Sequence, residues 1–244
     1  DEALQGPENL VVRAACMLAE TGGIKPGVRI TLRKRIPQGV GLGGGSSDAA
    51  ACLLGLNRLW GLGMPIDRLG VIGERLGSDV PFFLYGGTCL VEGRGERVIP
   101  MPDPSPQWLV LLFPSVRGMP EKTRRMYQAL TRADFSDGSK TEIVRRHIVD
   151  GKPISAGVLF NAFERVARLE FPGLSDVWQR FETITGESVH LCGSGPALFS
   201  FHHTKGVAGA VAGQLKGQGM EAYTGCWLNR TASVLHAGTG GGLL

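Results

Sequence analysis

Lys34-Arg35-Ile36-Pro37-Gln38-Gly39-Val40-Gly41-Leu42-Gly43-Gly44-Gly45-Ser46-Ser47-Asp48-Ala49-Ala50-Ala51 decides the reading of this chain. Five of the seven residues from Gly39 to Gly45 are glycine. Apolar/polar alternation over Val28 to Ile36 predicts a strand leading in, and helical spacing from Ser47 to Leu62 predicts a helix leading out. Strand, glycine loop and helix start leave backbone N–H groups where no side chain blocks approach. Together with the helix dipole, that order makes a site for a phosphate. The stretch therefore reads as the binding loop for a nucleoside triphosphate.

Other glycine loops fit less well. No lysine follows these glycines, so the Walker pattern is absent. Gly39, Gly41 and Gly44 match the dinucleotide fingerprint, but that fold needs a strand after the helix with an acid at its end. Here a second helical pattern follows, with Asp67 at its start. A plain glycine-rich surface turn stays open; it explains flexibility but not why Gly43-Gly44-Gly45-Ser46-Ser47 should lie against a helix start.

The remaining composition sets bounds. The chain has 244 residues, 43% hydrophobic and 20% charged, enough for one large domain or two ordinary ones. No apolar run approaches the roughly 18 residues that span a bilayer. The start, Asp1-Glu2-Ala3-Leu4-Gln5, shows no signal peptide, and without a Met it is expected to lie inside a longer protein. Cys16, Cys52, Cys89, Cys192 and Cys226 show no CxxC pairing and are expected as buried free thiols of a reducing cytoplasm. A net charge of +4 suits a small anionic substrate and falls short of a nucleic-acid binder.

In order along the chain, a first helix is predicted from Glu8 to Ala19, with Asn9 as N-cap. Asp67 caps a further helix to Leu76, and Asp79 drops an acid between a glycine turn and the apolar run Val80–Leu84. Thr88–Glu92 and Glu96–Ile99 predict a hairpin around Gly93-Arg94-Gly95. The prolines at 100, 102, 104 and 106 mark the expected domain boundary, giving domains 1–104 and 105–237 and a disordered tail 238–244. The second part predicts a strand Trp108–Phe113 and helices 120–130, 141–149, 158–169, 174–183 and 207–215. Further strands are predicted at 188–192, 197–201, 221–227 and 233–236. Helices with a mostly antiparallel sheet mean an α+β fold.

Pro37 to Ala50 closely resembles the central motif of the GHMP-type small-molecule kinases. Gly77-Ser78-Asp79-Val80-Pro81-Phe82-Phe83, followed by Gly86-Gly87 and Glu92 to Glu96, resembles the second motif of one branch, and Cys192-Gly193-Ser194-Gly195-Pro196 the third family motif. The triple glycine, the double serine, Lys34-Arg35 and Leu56 to Trp60 narrow the resemblance to that branch. It phosphorylates a cytidine diphosphate-linked methylerythritol in the non-mevalonate isoprenoid pathway. The resemblance covers essentially the whole chain. It implies a two-domain fold with a ribosomal protein S5 domain 2-like first part and a ferredoxin-like second part.

The resemblance also implies roles. Pro37, Gly39, Gly41, Leu42, Gly43, Gly44, Gly45, Ser46 and Ser47 would hold ATP, with Ser46 or Ser47 meeting Mg²⁺. Asn9 and Lys34 would contact the adenine, and Gly193, Ser194 and Gly195 would close over the phosphates. Asp79 would take the proton of the acceptor hydroxyl. Thr123 and Asn161 match acceptor-side and structural positions loosely. From the residues alone, Ser47 and Asn9 are equally N-caps, Lys34 a solvated charge, Asp79 a capping aspartate and Gly193–Gly195 a tight turn.

Such enzymes begin with strands that carry an assisting lysine and a Gly-Tyr-His segment, and neither has a counterpart here. The expectation is a fragment or a shortened relative with exposed sheet edges. It would be a cytoplasmic enzyme of a bacterial cytosol or plastid stroma, monomer or homodimer, without nucleic-acid or membrane partners. A homoserine- or mevalonate-type kinase and an inactive nucleotide-binding remnant are the alternatives.

Overall fold

Small side chains let the first two helices approach closely. The structure, a computed structural model, describes residues 6–25, 27–116 and 120–230. It divides into two units. The first holds the described residues up to Arg35, then Gly43–Asp103, then those from Leu228 on; the second holds Ile36–Leu42 and Pro104–Trp227.

In the first unit, α1 (Leu10–Gly22) packs on α2 (Gly44–Leu59). Ala14, Ala15 and Leu18 of α1 and Ala49, Ala50, Leu53 and Leu56 of α2 fill the seam. The Asn9 side chain accepts from the Val11 N–H at 2.9 Å and so caps α1. Helix α3 (Ile66–Leu76) and short α4 (Val80–Tyr85) close the same core through Leu69, Ile72, Leu76, Val80 and Leu84. Asp67 does not cap α3. Pro65 stands at the N-cap position, and the Asp67 carboxylate accepts from the Tyr85 hydroxyl at 2.8 Å. Strands β1 (Cys89–Glu92) and β2 (Arg97–Pro100) form the expected hairpin. The Arg230 guanidinium ties the returning chain to this unit by donating to the Gly86, Thr88 and Met101 carbonyls.

The segment predicted as a strand over 28–36 is not one. It runs without ladder hydrogen bonds among the described residues, leaving Val28 40% and Ile30 41% exposed. Alternation sets which way side chains point; a strand also needs a neighbour to accept its N–H groups.

In the second unit, β3 (Trp108–Phe113), β4 (His190–Leu191), β5 (Leu198–His202) and β6 (Glu221–Cys226) make an antiparallel sheet in the order β4-β5-β3-β6. Leu112 sits opposite Leu198 on one side and Ala222 on the other, and all three are fully buried. Helices α8 (Leu174–Thr185) and α9 (Lys205–Gly217) add Trp178, Phe181, Val211 and Leu215 to that core. Between them in sequence and β3 come α5 (Lys122–Gln128), α6 (Ser139–Val149) and α7 (Glu164–Glu170).

The predicted helix from 158 to 169 is shorter. Residues 156–158 form a 3₁₀ turn, and the Asn161 side chain accepts from the Phe163 N–H at 3.0 Å ahead of α7. A local side-chain bond of this kind competes with helix. Cys192 is buried, but Cys16 and Cys226 are exposed, against the expectation for all five thiols. The expected strand 233–236 and tail 238–244 lie outside the described residues.

Candidate active site

The site residues read from the sequence fall into two groups, one in each unit. In the first unit, helix α2 starts at Gly44, three residues earlier than its spacing suggests, because Gly43 takes a left-handed N-cap conformation (φ 64°). Ser47 is therefore inside the first turn and not the cap. Its N–H bonds the Gly43 carbonyl at 2.8 Å, and its hydroxyl donates to the Gly44 carbonyl at 2.9 Å. No side chain caps this helix. The N–H groups of Gly44, Gly45 and Ser46 accordingly have no acceptor among the described residues, as at any helix N-terminus without a side-chain cap.

Lys34 is not a solvated charge. Its ammonium pairs with the Asp48 carboxylate of α2, and both side chains are mostly buried. This pair fastens the unladdered run 27–35 to the first turns of α2.

Asp79 precedes α4 and is exposed. It does not cap that helix, and among the described residues its carboxylate has no hydrogen-bond or ion partner. Two contacts fix where it stands. On one side, Phe83 of α4 lies against Gly43: a Cβ there would meet the ring at 2.7 Å. On the other, Gly95 in the β1–β2 turn (φ +119°) lies over the Ser78 carbonyl, where a Cβ would come within 2.0 Å. The hairpin thus supports the backbone immediately before Asp79, and α4 keys it to the glycine loop. The hairpin pattern was legible in the sequence; its service to Asp79 was not.

In the second unit, Pro37 and Gly39 are exposed, and Gly41 and Leu42 half-buried. The Gly41 backbone rests on the turn 192–195: a Cβ on Gly41 (φ +91°) would lie 2.0 Å from the Cys192 carbonyl oxygen. The Ala197 N–H donates to the Val40 carbonyl at 3.0 Å, and the Gly195 N–H to the Cys192 carbonyl at 2.7 Å. The Asn161 amide donates to the Leu191 and Gly193 carbonyls at 3.0 and 2.8 Å. Glu164 adds an acceptor for the Leu191 N–H at 3.4 Å and faces His190 Nδ1 at 3.2 Å.

These contacts take the carbonyls of Val40, Leu191, Cys192 and Gly193. The N–H groups of Gly41, Leu42, Gly193 and Ser194 keep no acceptor among the described residues. Turns with successive unpaired N–H groups bind anions. Burial pushes the Cys192 thiol up to about 12, so it stays protonated beside this turn and is no nucleophile. The Thr123 side chain, beside Lys122 at the start of α5, shows no hydrogen bond among the described residues.

A model of the GHMP kinases N terminal domain matches residues 9–87. The 4-diphosphocytidyl-2-C-methyl-D-erythritol kinase of Dehalococcoides mccartyi is 42% identical over 219 residues, covering 90% of this chain and 77% of that protein. The chain belongs to the 4-diphosphocytidyl-2-C-methyl-D-erythritol kinase family. A crystal structure of 4-(cytidine 5'-diphospho)-2C-methyl-D-erythritol kinase superposes with a TM-score of 0.76 at 36% identity, over 91% of this chain and 79% of the other. A homoserine kinase from Cytophaga hutchinsonii gives a TM-score of 0.73 over 91% of this chain and 76% of its own. At 21% identity it shares the fold alone. Family membership agrees with the α+β architecture and makes the chain a small-molecule kinase by descent. No helix among the described residues is long and apolar enough to cross a membrane.

Proposed function

We propose that this chain transfers the γ-phosphoryl group of ATP to the 2-hydroxyl of 4-diphosphocytidyl-2-C-methyl-D-erythritol. The observation that carries the reading is the 42% identity to a kinase of that name over 90% of the chain. The geometry supports it. Phosphoryl transfer asks a protein mainly for positioning and charge stabilisation. The free N–H groups at the start of α2 take the phosphates, and the Gly193–Gly195 turn is a further phosphate contact.

Asp79 is exposed and without a side-chain partner among the described residues, so its carboxylate is available to the acceptor hydroxyl. It receives that proton as the oxygen attacks the γ-phosphorus in line, with no covalent enzyme intermediate. Asn9 and Lys34 serve the adenine, and Asp48 holds Lys34 in place. Mg²⁺ fits one position. The Ser47 hydroxyl gives its proton to the Gly44 carbonyl, which leaves its oxygen lone pairs for a cation that usually takes one or two protein ligands beside phosphate oxygens. When bound, the ion would offset phosphate charge. The reading includes a bacterial cytosol or plastid stroma, a monomer or homodimer, and no nucleic-acid partner.

The test is ADP release from Mg-ATP with and without the cytidyl-methylerythritol acceptor. ADP formed only with that acceptor is the expected result. ADP formed with homoserine or mevalonate instead, or ATP bound without turnover, overturns the assignment.

A further inference from the structure

The first turn of α5 carries a lysine that belongs to none of the motifs, Lys122. Lys122 Nζ donates to the Gly195 carbonyl at 2.5 Å and to the Gly39 carbonyl at 2.8 Å. The first belongs to the turn after β4, the second to the entry of the glycine loop. Among the described residues no carboxylate pairs with this ammonium, and burial lowers its pKa. A partly buried cation without a counter-ion is costly unless its donors are used. Two of its three N–H donors are used, both on backbone carbonyls of glycine turns.

Those turns have little else to set their spacing. They meet backbone on backbone at Gly41 and Cys192. Direct links are the bond from Ala197 N–H to the Val40 carbonyl and the contact of Gly193 with the Gly41 carbonyl, 2.8 Å from where a Gly193 Cβ would stand. Two carbonyl dipoles, at Gly39 and Gly195, converge on one point and would repel each other without a cation there. The ammonium at that point holds both turns at once.

We propose that Lys122 is a positioning residue for phosphate binding: by bonding the Gly39 and Gly195 carbonyls it fixes the two turns that carry the N–H groups of Gly41, Leu42, Gly193 and Ser194. The proposal rests on the kinase reading above. It makes Lys122 act through the backbone and assigns it no contact with the acceptor.

Lys122→Met and Lys122→Arg are compared with the unaltered chain in two ways. Hydrogen exchange without nucleotide reads the latch. The Gly195 and Ala197 amides should exchange roughly tenfold faster in Lys122→Met, with β3 and β5 unchanged, and Lys122→Arg should restore most of the protection. Steady-state kinetics read the consequence: KM for ATP should rise roughly tenfold in Lys122→Met, while kcat and the acceptor KM stay within about twofold. Unchanged exchange overturns the latch. Faster exchange with unchanged KM for ATP overturns its role in phosphate binding, as does an equal fall in every kinetic constant. If the unaltered chain releases no ADP, the kinase reading fails and the phosphate role falls with it, while the exchange data still decide whether Lys122 holds the turns.

Discussion

The start of α2 and the turn between β4 and β5 both end with unpaired N–H groups, and they reach that state by opposite routes. At α2 the helix does it alone: the first turn has no earlier carbonyls to bond, and Gly43 brings no capping side chain. At Gly193–Gly195 there is no helix. The turn is held in place by bonds from Asn161, Lys122 and neighbouring backbone to its carbonyls, and in that conformation the Gly193 and Ser194 N–H groups find no acceptor among the described residues. One site is a by-product of secondary structure. The other is assembled from distant side chains, so it should be the easier to break by single substitutions that touch no glycine.

The largest effect should come from the carboxylate keyed to the α2 side. Asp79→Asn should lower kcat by about 10²- to 10⁴-fold with ATP affinity nearly kept. Stopped-assay ADP release and calorimetric ATP binding check both halves, and near-normal turnover would remove Asp79 from the chemistry. Next comes Gly41→Ala. A methyl 2.0 Å from the Cys192 carbonyl cannot be accommodated without moving the backbone, and φ +91° is strained for alanine. A loss of several kcal/mol in the second unit's stability is expected by denaturant titration.

Asn161→Ala should cost about 1–3 kcal/mol, because it strips the donor from the Leu191 and Gly193 carbonyls. It should raise KM for ATP without touching the α2 side. If instead it lowers kcat alone, the contrast between an assembled turn and a self-made helix start does not hold.

Acid should also find the assembled side first. Asp134, with a side chain only 3% exposed, is paired with Arg165 next to Glu164, and both the Arg165 guanidinium and the Thr131 backbone hold its carboxyl well below the usual range. A depressed carboxylate contributes stability that is complete above its unfolded value of about 3.9 and is lost as pH falls toward the folded value. Melting temperatures taken downward from about pH 5 should therefore fall, and Asp134→Asn should flatten that slope at the cost of a lower starting value. The smallest effect is expected at Gly45, inside α2. A Cβ there meets only Leu10 Cδ1 at 3.5 Å, so Gly45→Ala should change stability by no more than about 1 kcal/mol, in the stabilising direction.

The same contrast explains what the sequence disclosed. Whatever depends on neighbours in the chain was legible: the glycine loop running into α2, the capping of α1 by Asn9, the β1–β2 hairpin and the apolar strand β3. Whatever depends on a distant partner was not. The alternation over 28–36 predicted a strand that is not there, because no local signal says whether a ladder partner is present. Lys34 looked solvated because Asp48, fourteen residues on, is brought back only by the fold. Asp79 and Ser47 looked like caps because aspartate and serine often are, yet Gly43 stands at the N-cap of α2 and the Asp79 carboxylate has no partner among the described residues. Asn161 was matched only loosely, Lys122 belongs to no motif, and the targets of both are backbone carbonyls that carry no residue signature at all.

The sorting of carbonyls from N–H groups has a consequence for how this protein responds to its surroundings. An amide N–H has no proton to gain or lose across any pH at which the fold survives. A grip on phosphate made from such groups does not titrate, and it keeps its sign where a lysine or histidine contact would fade. Lys122, behind the turns, can lose its charge, and burial lowers the pH at which it does so. Alkaline solution should therefore loosen the scaffold before it weakens the donors themselves.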